Sequence, residues 1–168
     1  MEEIIIREIS AEELDVLDDL LYESIYQQEN VETGCAPSLP RDIIKKSEIN
    51  VYIDAFGSKK DDHCLVADLN GRIIGAVWVR ILADEIKGYG NIDDQTPEFA
   101  ISLFKEFRNK GIGILLMQRM IEHLKEKGYA QTSLSVQKQN YATRMYQKLG
   151  FEIIRETEED YLMVLKLK

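Results

Sequence analysis

The sequence has few residues of the kinds that build metal, redox and disulfide centres. Its 168 residues include two cysteines and two histidines. Cys35 and Cys64 have neither metal-ligand spacing nor the spacing of a redox pair, so we interpret both as free thiols, with a disulfide between them left open. His63 and His123 belong to no nucleophile–base–acid spacing, and we interpret them as structural or surface residues. We therefore expect no metal site.

Positive charge and long apolar segments are also scarce. The chain has 21 Lys and Arg against 30 Asp and Glu, a formal net charge of −9, which argues against nucleic acid as a partner because phosphate backbones attract basic surfaces. No apolar run approaches the roughly 20 residues that cross a bilayer, and the first seven residues are too acidic for a secretory signal. We expect a single globular domain over 1–168, cytoplasmic, with no membrane contact.

Hydrophobic periodicity and turn signals predict a mixed α/β fold. Asn70-Gly71 indicates a tight hairpin, and the strand–helix–strand unit from 97 to 136 should be a right-handed crossover that makes its two strands parallel. The chain is predicted to form, in order, a strand at 3–8, helices at 10–28 and 41–49, strands at 63–69, 72–82 and 97–104, a helix ending at 127, a strand at 131–136, a helix at 140–149, and strands at 151–156 and 161–167.

The glycine-rich turn at 108–113, Arg-x-x-Gly-x-Gly, lies between the central strand and the helix that follows it. The first N–H groups of a helix have no internal partner and its dipole favours negative charge, while Gly111 and Gly113 let a phosphate approach the backbone. Leu116 occupies the third glycine position of a dinucleotide fingerprint, and no Gly-Lys-Ser/Thr follows. The turn is therefore either a phosphate site of another kind or a glycine-rich helix entry with solvated cations.

A second motif follows one helix and one strand later: Asn140-Tyr-Ala-Thr-Arg-Met-Tyr146-Gln-Lys-Leu-Gly150-Phe151. The two motifs, in this order and on these elements, resemble the coenzyme A loop and the Asn-x-Ala-x-x-x-Tyr-x-x-x-Gly-Phe segment of GNAT-type N-acetyltransferases. The resemblance is specific from about 97 to 152 and architectural only from 1 to 82. It implies an α/β (α+β) fold: a mixed, mostly antiparallel central sheet with one parallel strand pair (about 97–104 and 131–136) splayed for coenzyme A, flanked by about four helices.

The resemblance also implies acetyl-coenzyme A as the acyl donor. Its pantetheine arm would enter the gap between the parallel strands near Leu103, Phe104 and Val136, adding to the sheet like a strand. Asn140 would hold the pantetheine, and Tyr146 would point its hydroxyl at the cofactor sulfur. The pyrophosphate would lie on the amides of Arg108, Asn109, Lys110, Gly111, Ile112 and Gly113.

Direct acetyl transfer to an amine needs a base, an oxyanion donor and an acid for the leaving thiolate. Glu98, at the start of the central strand, is the candidate base; a water chain, with Glu98 a solvated carboxylate, is the alternative. The oxyanion donor would be the N–H of Leu103 or Phe104, where we expect a bulge. Tyr146 is the candidate acid, and an ordinary core tyrosine is its alternative.

Two other functions remain open at this stage: a non-catalytic acyl-coenzyme A sensor and an unrelated nucleotide-binding α/β protein. The acceptor, a small-molecule amine or a protein amine, should bind against the first helix and its loop and against residues 83–97. Trp78 is interpreted as a core residue, and a homodimer is a family-level expectation only. The candidate acceptor-side residues of the first helix and its loop are Tyr22, Tyr26, Glu29 and Glu32.

Overall fold

The computed structural model describes residues 3–33 and 40–168, and within them every side chain except those of residues 26–33. Cys35 and the side chains of Tyr26, Glu29 and Glu32 lie outside this part. Within it, no helix is both long enough and apolar enough to cross a membrane. The elements are β1 (Ile4–Glu8), α1 (Val16–Thr33), α2 (Ser47–Asn50), β2 (His63–Leu69), β3 (Arg72–Arg80), β4 (Glu98–Leu103), α3 (Ile112–Glu126), β5 (Gln131–Gln137), α4 (Ala142–Lys148), β6 (Glu152–Glu156) and β7 (Asp160–Lys166), with 3-10 turns at Ala11–Glu13, Arg41–Lys45 and Lys105–Phe107.

The strands form one seven-stranded sheet in the order β1-β2-β3-β4-β5-β7-β6. β4 and β5 are parallel because α3 crosses from the end of one to the start of the other, and the other neighbouring strand pairs of the described sheet are antiparallel. The predicted fold class, a mostly antiparallel sheet with one parallel pair between helices, is therefore confirmed.

Apolar side chains cover both faces of this sheet. The buried stripe of α3 packs on one face, with β2, β3 and Phe151. α1 and the segment around α2 cover the other face, where Leu17, Leu20 and Leu21 pack against Trp78. The stripe of α3 that the sequence predicts, Met117, Met120, Ile121 and Leu124, is buried. Between the two layers, a cavity opens at the carboxyl ends of β4 and β5.

The segment between α2 and β2 is fixed to β3 by two buried side chains. Trp78 donates its Nε1–H to the carbonyl of Tyr52 at 3.1 Å, which agrees with its interpretation as a core residue. Arg80 forms a bidentate ion pair with Asp62, with N···O distances of 3.0 and 2.8 Å, and donates to two backbone carbonyls of the same segment. A buried guanidinium with this many partners holds its neighbours in one geometry. Tyr52 is therefore rigidly placed.

Two predicted helices differ from those observed. α1 continues to Thr33 rather than ending near Gln28, since no glycine or proline interrupts the chain before Gly34. The helix predicted at 41–49 is instead a 3-10 turn and the single turn of α2, because Lys46 between them is extended, with ψ 134°. The predicted capping box is present, with the Ser10 N–H donating to Glu13 Oε1 at 2.9 Å, but it opens a 3-10 turn at Ala11–Glu13 rather than the helix itself, which begins at Val16.

The two histidines lie together where β2 meets α3. Their rings stack with centroids 3.5 Å apart and an interplanar angle of 6°. Burial lowers the pKa of both His63 and His123, so the stacked pair is neutral near pH 7. The pair agrees with a structural interpretation.

Candidate active site

A cavity of about 410 Å³ lies in the gap between β4 and β5. The two strands share one pair of partners, Glu98 and Ser133, and then separate. Beyond that pair the backbones no longer pair with each other, so the gap presents unpaired peptide groups. The cavity is lined from β4 by Glu98, Phe99, Ala100 and Ile101, and from β5 by Leu134, Ser135, Val136 and Gln137.

The hydrogen bonds of β4 decide which of its amides point into this gap. The Phe104 N–H donates to the carbonyl of Ile74 in β3, at 3.0 Å. N–H groups alternate between the two sides of a strand, so those of Leu103 and Ile101 point toward β5. The predicted oxyanion role of Phe104 is therefore wrong, as is the predicted bulge, because β4 pairs with β3 without a register shift. Leu103 is still a candidate donor, and Ile101 joins it.

The glycine-rich turn exposes a row of backbone amides. Asn109 and Gly111 have left-handed backbones, with φ of 62° and 84°, and this conformation turns successive N–H groups to one side. Within the described chain, the amides from 109 to 114 have no partner, and the first intrahelical bond of α3 runs from Leu115 to the carbonyl of Gly111 at 3.3 Å. Six amides at the positive end of a 15-residue helix form an anion site.

Arg108 does not contribute to this anion site, although the sequence predicts that its amide binds the pyrophosphate. Its amide donates to the carbonyl of Lys105 at 3.3 Å. Its guanidinium donates to the carbonyl of Leu103 at 3.1 Å and to Glu23 of α1 at 2.9 Å. Both groups are therefore occupied, and the side chain links α1 to the end of β4 rather than facing a phosphate. Lys110 is the exposed cation of the turn.

The turn lies at the same end of the gap as α4. A Cβ built on Gly113 would lie 3.7 Å from Leu103 Cδ1 and 3.8 Å from Met145 Sδ. The start of α3 therefore packs between the end of β4 and α4. A ligand bound to the amides of the turn can reach the gap directly.

Glu98 is buried at the inner end of the cavity, with 3% of its surface exposed. Its Oε2 accepts hydrogen bonds from the hydroxyl of Tyr52 and from the N–H of Gly90, the latter at 3.0 Å. Its Oε1 has no hydrogen-bond partner among the described residues. Burial raises the pKa of Glu98 to about 7, against the opposing effect of the two hydrogen bonds. The alternative of a solvated strand-end carboxylate does not fit this burial.

Tyr52 is the residue that sequence reasoning missed. Its hydroxyl donates to Glu98 and accepts from the N–H of Tyr89 at 2.9 Å. Burial and the neighbouring carboxylate raise the pKa of Tyr52, so the phenol keeps the proton that it donates. No motif marks Tyr52, because it lies 46 residues before Glu98 in the chain and only the packing of α2 brings them together.

Two glycines of the 81–97 loop make room for the Glu98 carboxylate. A Cβ on Gly88 would lie 2.1 Å from Glu98 Oε1, and a Cβ on Gly90 would lie 2.9 Å from the backbone of Leu134. Real Cβ atoms do not approach other heavy atoms this closely. The loop therefore closes over Glu98 only because both positions lack a side chain.

Tyr146 and Asn140 line the same cavity from α4 and the turn before it. Tyr146 is 6% exposed and its ring meets Phe151 edge to face, with centroids 6.0 Å apart. Burial raises the pKa of Tyr146, so its phenol is protonated at neutral pH. Asn140 Oδ1 accepts the N–H of Ala142 at 2.8 Å, which fixes the start of α4.

The structure thus brings three predicted site residues, Glu98, Asn140 and Tyr146, to one cavity and places the 108–113 turn beside it. Tyr22, predicted for the acceptor side, lies instead under the Arg41 guanidinium, 5.0 Å from it, and does not line the cavity. Two segments that the sequence predicts for the acceptor do line the cavity, through Leu21, Ser24 and Ile25 of α1 and Tyr89 of the 83–97 loop. The lining residues that the sequence did not indicate are Ile43, Ile49, Tyr52, Glu159 and Asp160.

Comparison with known proteins decides the family. The model of the acetyltransferase (GNAT) family matches residues 22–151. This chain belongs to the GNAT acetyltransferase family. An uncharacterized N-acetyltransferase of Archaeoglobus fulgidus is 28% identical over 107 residues, which are 61% of this chain and 67% of that protein.

Two solved structures are similar over nearly the whole chain. The PaiA N-acetyltransferase of Thermoplasma acidophilum, in complex with coenzyme A, is 23% identical with a TM-score of 0.72 over 98% of this chain and 99% of that one. A GNAT-family acetyltransferase of Streptococcus pneumoniae is 28% identical with a TM-score of 0.64 over 99% of this chain and 100% of that one. At these identities the likeness supports the fold.

Membership of the GNAT family confirms three predictions from the sequence: the family itself, an acyltransferase activity, and acetyl-coenzyme A as the acyl donor. It also removes the hypothesis of an unrelated nucleotide-binding protein. The residues present fit this donor, because a gap between parallel strands ends beside six amides that have no partner among residues 3–33 and 40–168. Membership of the family does not identify the acceptor or the roles of individual residues, which must be inferred from the site.

Proposed function

We propose that this GNAT enzyme is one N-acetyltransferase domain that transfers an acetyl group from acetyl-coenzyme A directly to a primary amine in a ternary complex. The observation that carries the proposal is the buried Glu98 carboxylate, which shares a cavity with the Tyr146 phenol. A base and an acid in one cavity are what direct aminolysis of a thioester requires. No covalent enzyme intermediate is needed, because the amine itself is the nucleophile.

The donor side consists mainly of backbone groups. The amides of residues 109–114 would hold the pyrophosphate, replacing the predicted 108–113 set because the Arg108 amide is already bonded. The Ile101 and Leu103 amides would bind the pantetheine arm or the acyl oxygen, and Asn140 would bind the pantetheine. The Ile101 and Leu103 amides are held in β4, and those of residues 112–114 in α3, before a ligand arrives, so binding to them costs little reorganisation.

Glu98 would act as the general base. An alkylammonium has a pKa of about 10.4, so a proton must leave before the nitrogen can attack. A carboxylate whose pKa is raised to about 7 accepts a proton more readily than an ordinary carboxylate and is still largely ionised at slightly alkaline pH. Glu98 lines the cavity, so the proton of an amine bound there would pass to the carboxylate directly or through one water.

Tyr146 would act as the general acid toward the leaving thiolate. Its phenol is protonated because burial raises its pKa, so it can donate a hydrogen bond to the sulfur as negative charge develops there. The alternative function is a non-catalytic acyl-coenzyme A sensor. A sensor needs the donor side, but it has no use for a buried base beside a buried acid.

Release of free thiol from acetyl-coenzyme A tests the proposal. The purified protein is mixed with acetyl-coenzyme A and a panel of primary amines, and the thiol is detected with a chromogenic disulfide. We expect thiol release that depends on the presence of an amine. A sensor would instead show a raised melting temperature with acetyl-coenzyme A and no release with any amine in the panel.

Replacing Tyr52 with Phe is expected to shift the pH profile of kcat/KM. The change removes a hydrogen bond to the ionised form of Glu98, so the pKa of Glu98 rises further. A hydrogen bond to a charged group contributes about 1.5–3 kcal/mol, which corresponds to about one to two pH units. Activity that rises with pH through about 7 in the wild type should therefore rise at a higher pH in the variant.

Tyr129→Phe is the matched control for this change. The Tyr129 hydroxyl also donates to a carboxylate, that of Asp61, outside the β4–β5 cavity. Loss of this hydroxyl should leave the pH profile of kcat/KM unchanged. An unshifted profile in Tyr52→Phe, with the same substrate and buffer series, would show that Tyr52 does not act on the base.

A further inference from the structure

The acceptor side of the cavity carries negative charge only. Three carboxylates line it, those of Glu98, Glu159 and Asp160, and no Lys, Arg or His of the described chain lines it. Tyr89 lies at its mouth with 59% of its surface exposed. Burial and the nearby charges of Glu48 and Asp160 raise the pKa of Tyr89. An aromatic face beside carboxylates is an environment that favours a cation.

An unpartnered buried group at the inner end of the cavity is the second observation. Glu98 is 3% exposed, lines the cavity, and leaves its Oε1 without a hydrogen-bond partner in the described structure. An ionisable oxygen in that state normally has a partner. Oε1 packs against Gly88 and is closed to the cavity, so an ammonium that binds in the cavity is stabilised by the charge of the carboxylate rather than by a bond to this atom.

The wall between these two ends is apolar. Four aliphatic side chains of α1 and the α2 region line it: Leu21, Ile25, Ile43 and Ile49. Such a wall favours methylene groups over hydroxyls or rings with many polar substituents, because buried polar groups need partners. From its inner end to its mouth, the acceptor side therefore consists of the Glu98 carboxylate, an apolar wall, and a mouth formed by Glu159, Asp160 and Tyr89.

The donor cannot account for the acidic mouth. Coenzyme A carries phosphates, and Glu159 and Asp160 would repel them. The unpaired amides of the turn, at 109–114, already offer the phosphates a positive helix terminus. The carboxylates at the mouth are therefore available to the acceptor.

We propose that the acceptor is a linear alkylamine with a second cationic group. Its reacting nitrogen meets Glu98, its methylenes lie on the aliphatic wall, and its distal cation binds between Glu159, Asp160 and the Tyr89 ring. The proposal rests on the proposed function and adds the class of its acceptor. It predicts that the enzyme prefers substrates that carry a second positive charge at a distance from the reacting amine.

Matched amines test this selection. The substrates are α,ω-diaminoalkanes with three to six methylenes, each compared with the monoamine and the amino alcohol of the same length, at saturating acetyl-coenzyme A. We expect kcat/KM for at least one diamine to exceed that of both matched amines by about tenfold or more, after correction for two reactive ends. The preference should fall as salt is added, because the attraction is screened.

The double substitution Glu159→Gln with Asp160→Asn should bring the diamine-to-monoamine ratio of kcat/KM toward one. The control is Glu122→Gln with Glu126→Gln, the same charge change on the exposed side of α3, which should keep the wild-type ratio. A retained ratio in the first variant, or monoamines used as well as diamines by the wild type, would overturn this inference alone. Thiol release with no amine at all would overturn it together with the proposed function.

Discussion

Glu98→Gln is expected to lower kcat/KM for amine acetylation by about 10²- to 10⁴-fold, the usual contribution of a general base. Glutamine keeps the size of the side chain and can still accept from the Tyr52 hydroxyl, but it cannot take a proton from the amine. The measurement is thiol release at pH 8 with one amine substrate. KM for acetyl-coenzyme A should change little, because Glu98 lies at the acceptor end of the cavity.

The pH profile separates a base from a merely structural carboxylate. Glu98 acts only when ionised, so wild-type kcat/KM should be low below its pKa of about 7 and rise as the pH passes through that value. In Glu98→Gln this rise of kcat/KM near pH 7 should disappear, and only the pH dependence caused by deprotonation of the amine substrate should remain. Persistence of the same rise in the variant would assign it to another group, such as a water chain.

Two further measurements test whether Glu98 serves catalysis rather than stability. Burying an ionised carboxylate is unfavourable, so the melting temperature of Glu98→Gln at pH 8 should be no lower than that of the wild type. Glu152→Gln, on the exposed edge strand β6, is the control for loss of one carboxylate and should retain full activity. An unfolded Glu98→Gln protein would contradict the claim that Glu98 serves chemistry rather than stability.

Tyr146→Phe is expected to lower kcat by about 10²-fold or more, since it removes the proposed proton donor to the thiolate. Phenylalanine preserves the edge-to-face contact with Phe151, so the fold should be retained. The stability of the complex with coenzyme A should also change little. A fall in kcat without a matching rise in KM is the result that identifies a group acting in the transition state.

Tyr141→Phe is the control for this second prediction. Tyr141 belongs to the same motif but is 81% exposed, so its hydroxyl should not matter to turnover. If Tyr146→Phe turned over a good substrate at the wild-type rate, Tyr146 would be an ordinary core tyrosine, as the alternative from the sequence holds. Equal losses in both variants would point to a disturbed α4 rather than to a missing acid.

The local structure followed from short-range signals. Asn70 and Gly71 have φ of 53° and 89°, the paired positive values of the hairpin turn that their sequence predicts. The same holds for the glycine turn that opens α3, for the buried stripe of that helix and for the parallel crossover. These features depend on residues within one or two turns of each other, so composition and spacing suffice to predict them, and the two motifs on them sufficed to indicate the GNAT family.

The state of each functional group was decided by the tertiary structure. Glu98 is an unremarkable carboxylate in the sequence until Tyr52 and the Gly88–Gly90 segment close over it. The Phe104 amide is lost to the site by pairing with β3, and Arg108 by its ion pair with Glu23. Burial, pKa and hydrogen-bond partners depend on residues that are distant in the chain and adjacent only after folding, and no local pattern encodes those contacts.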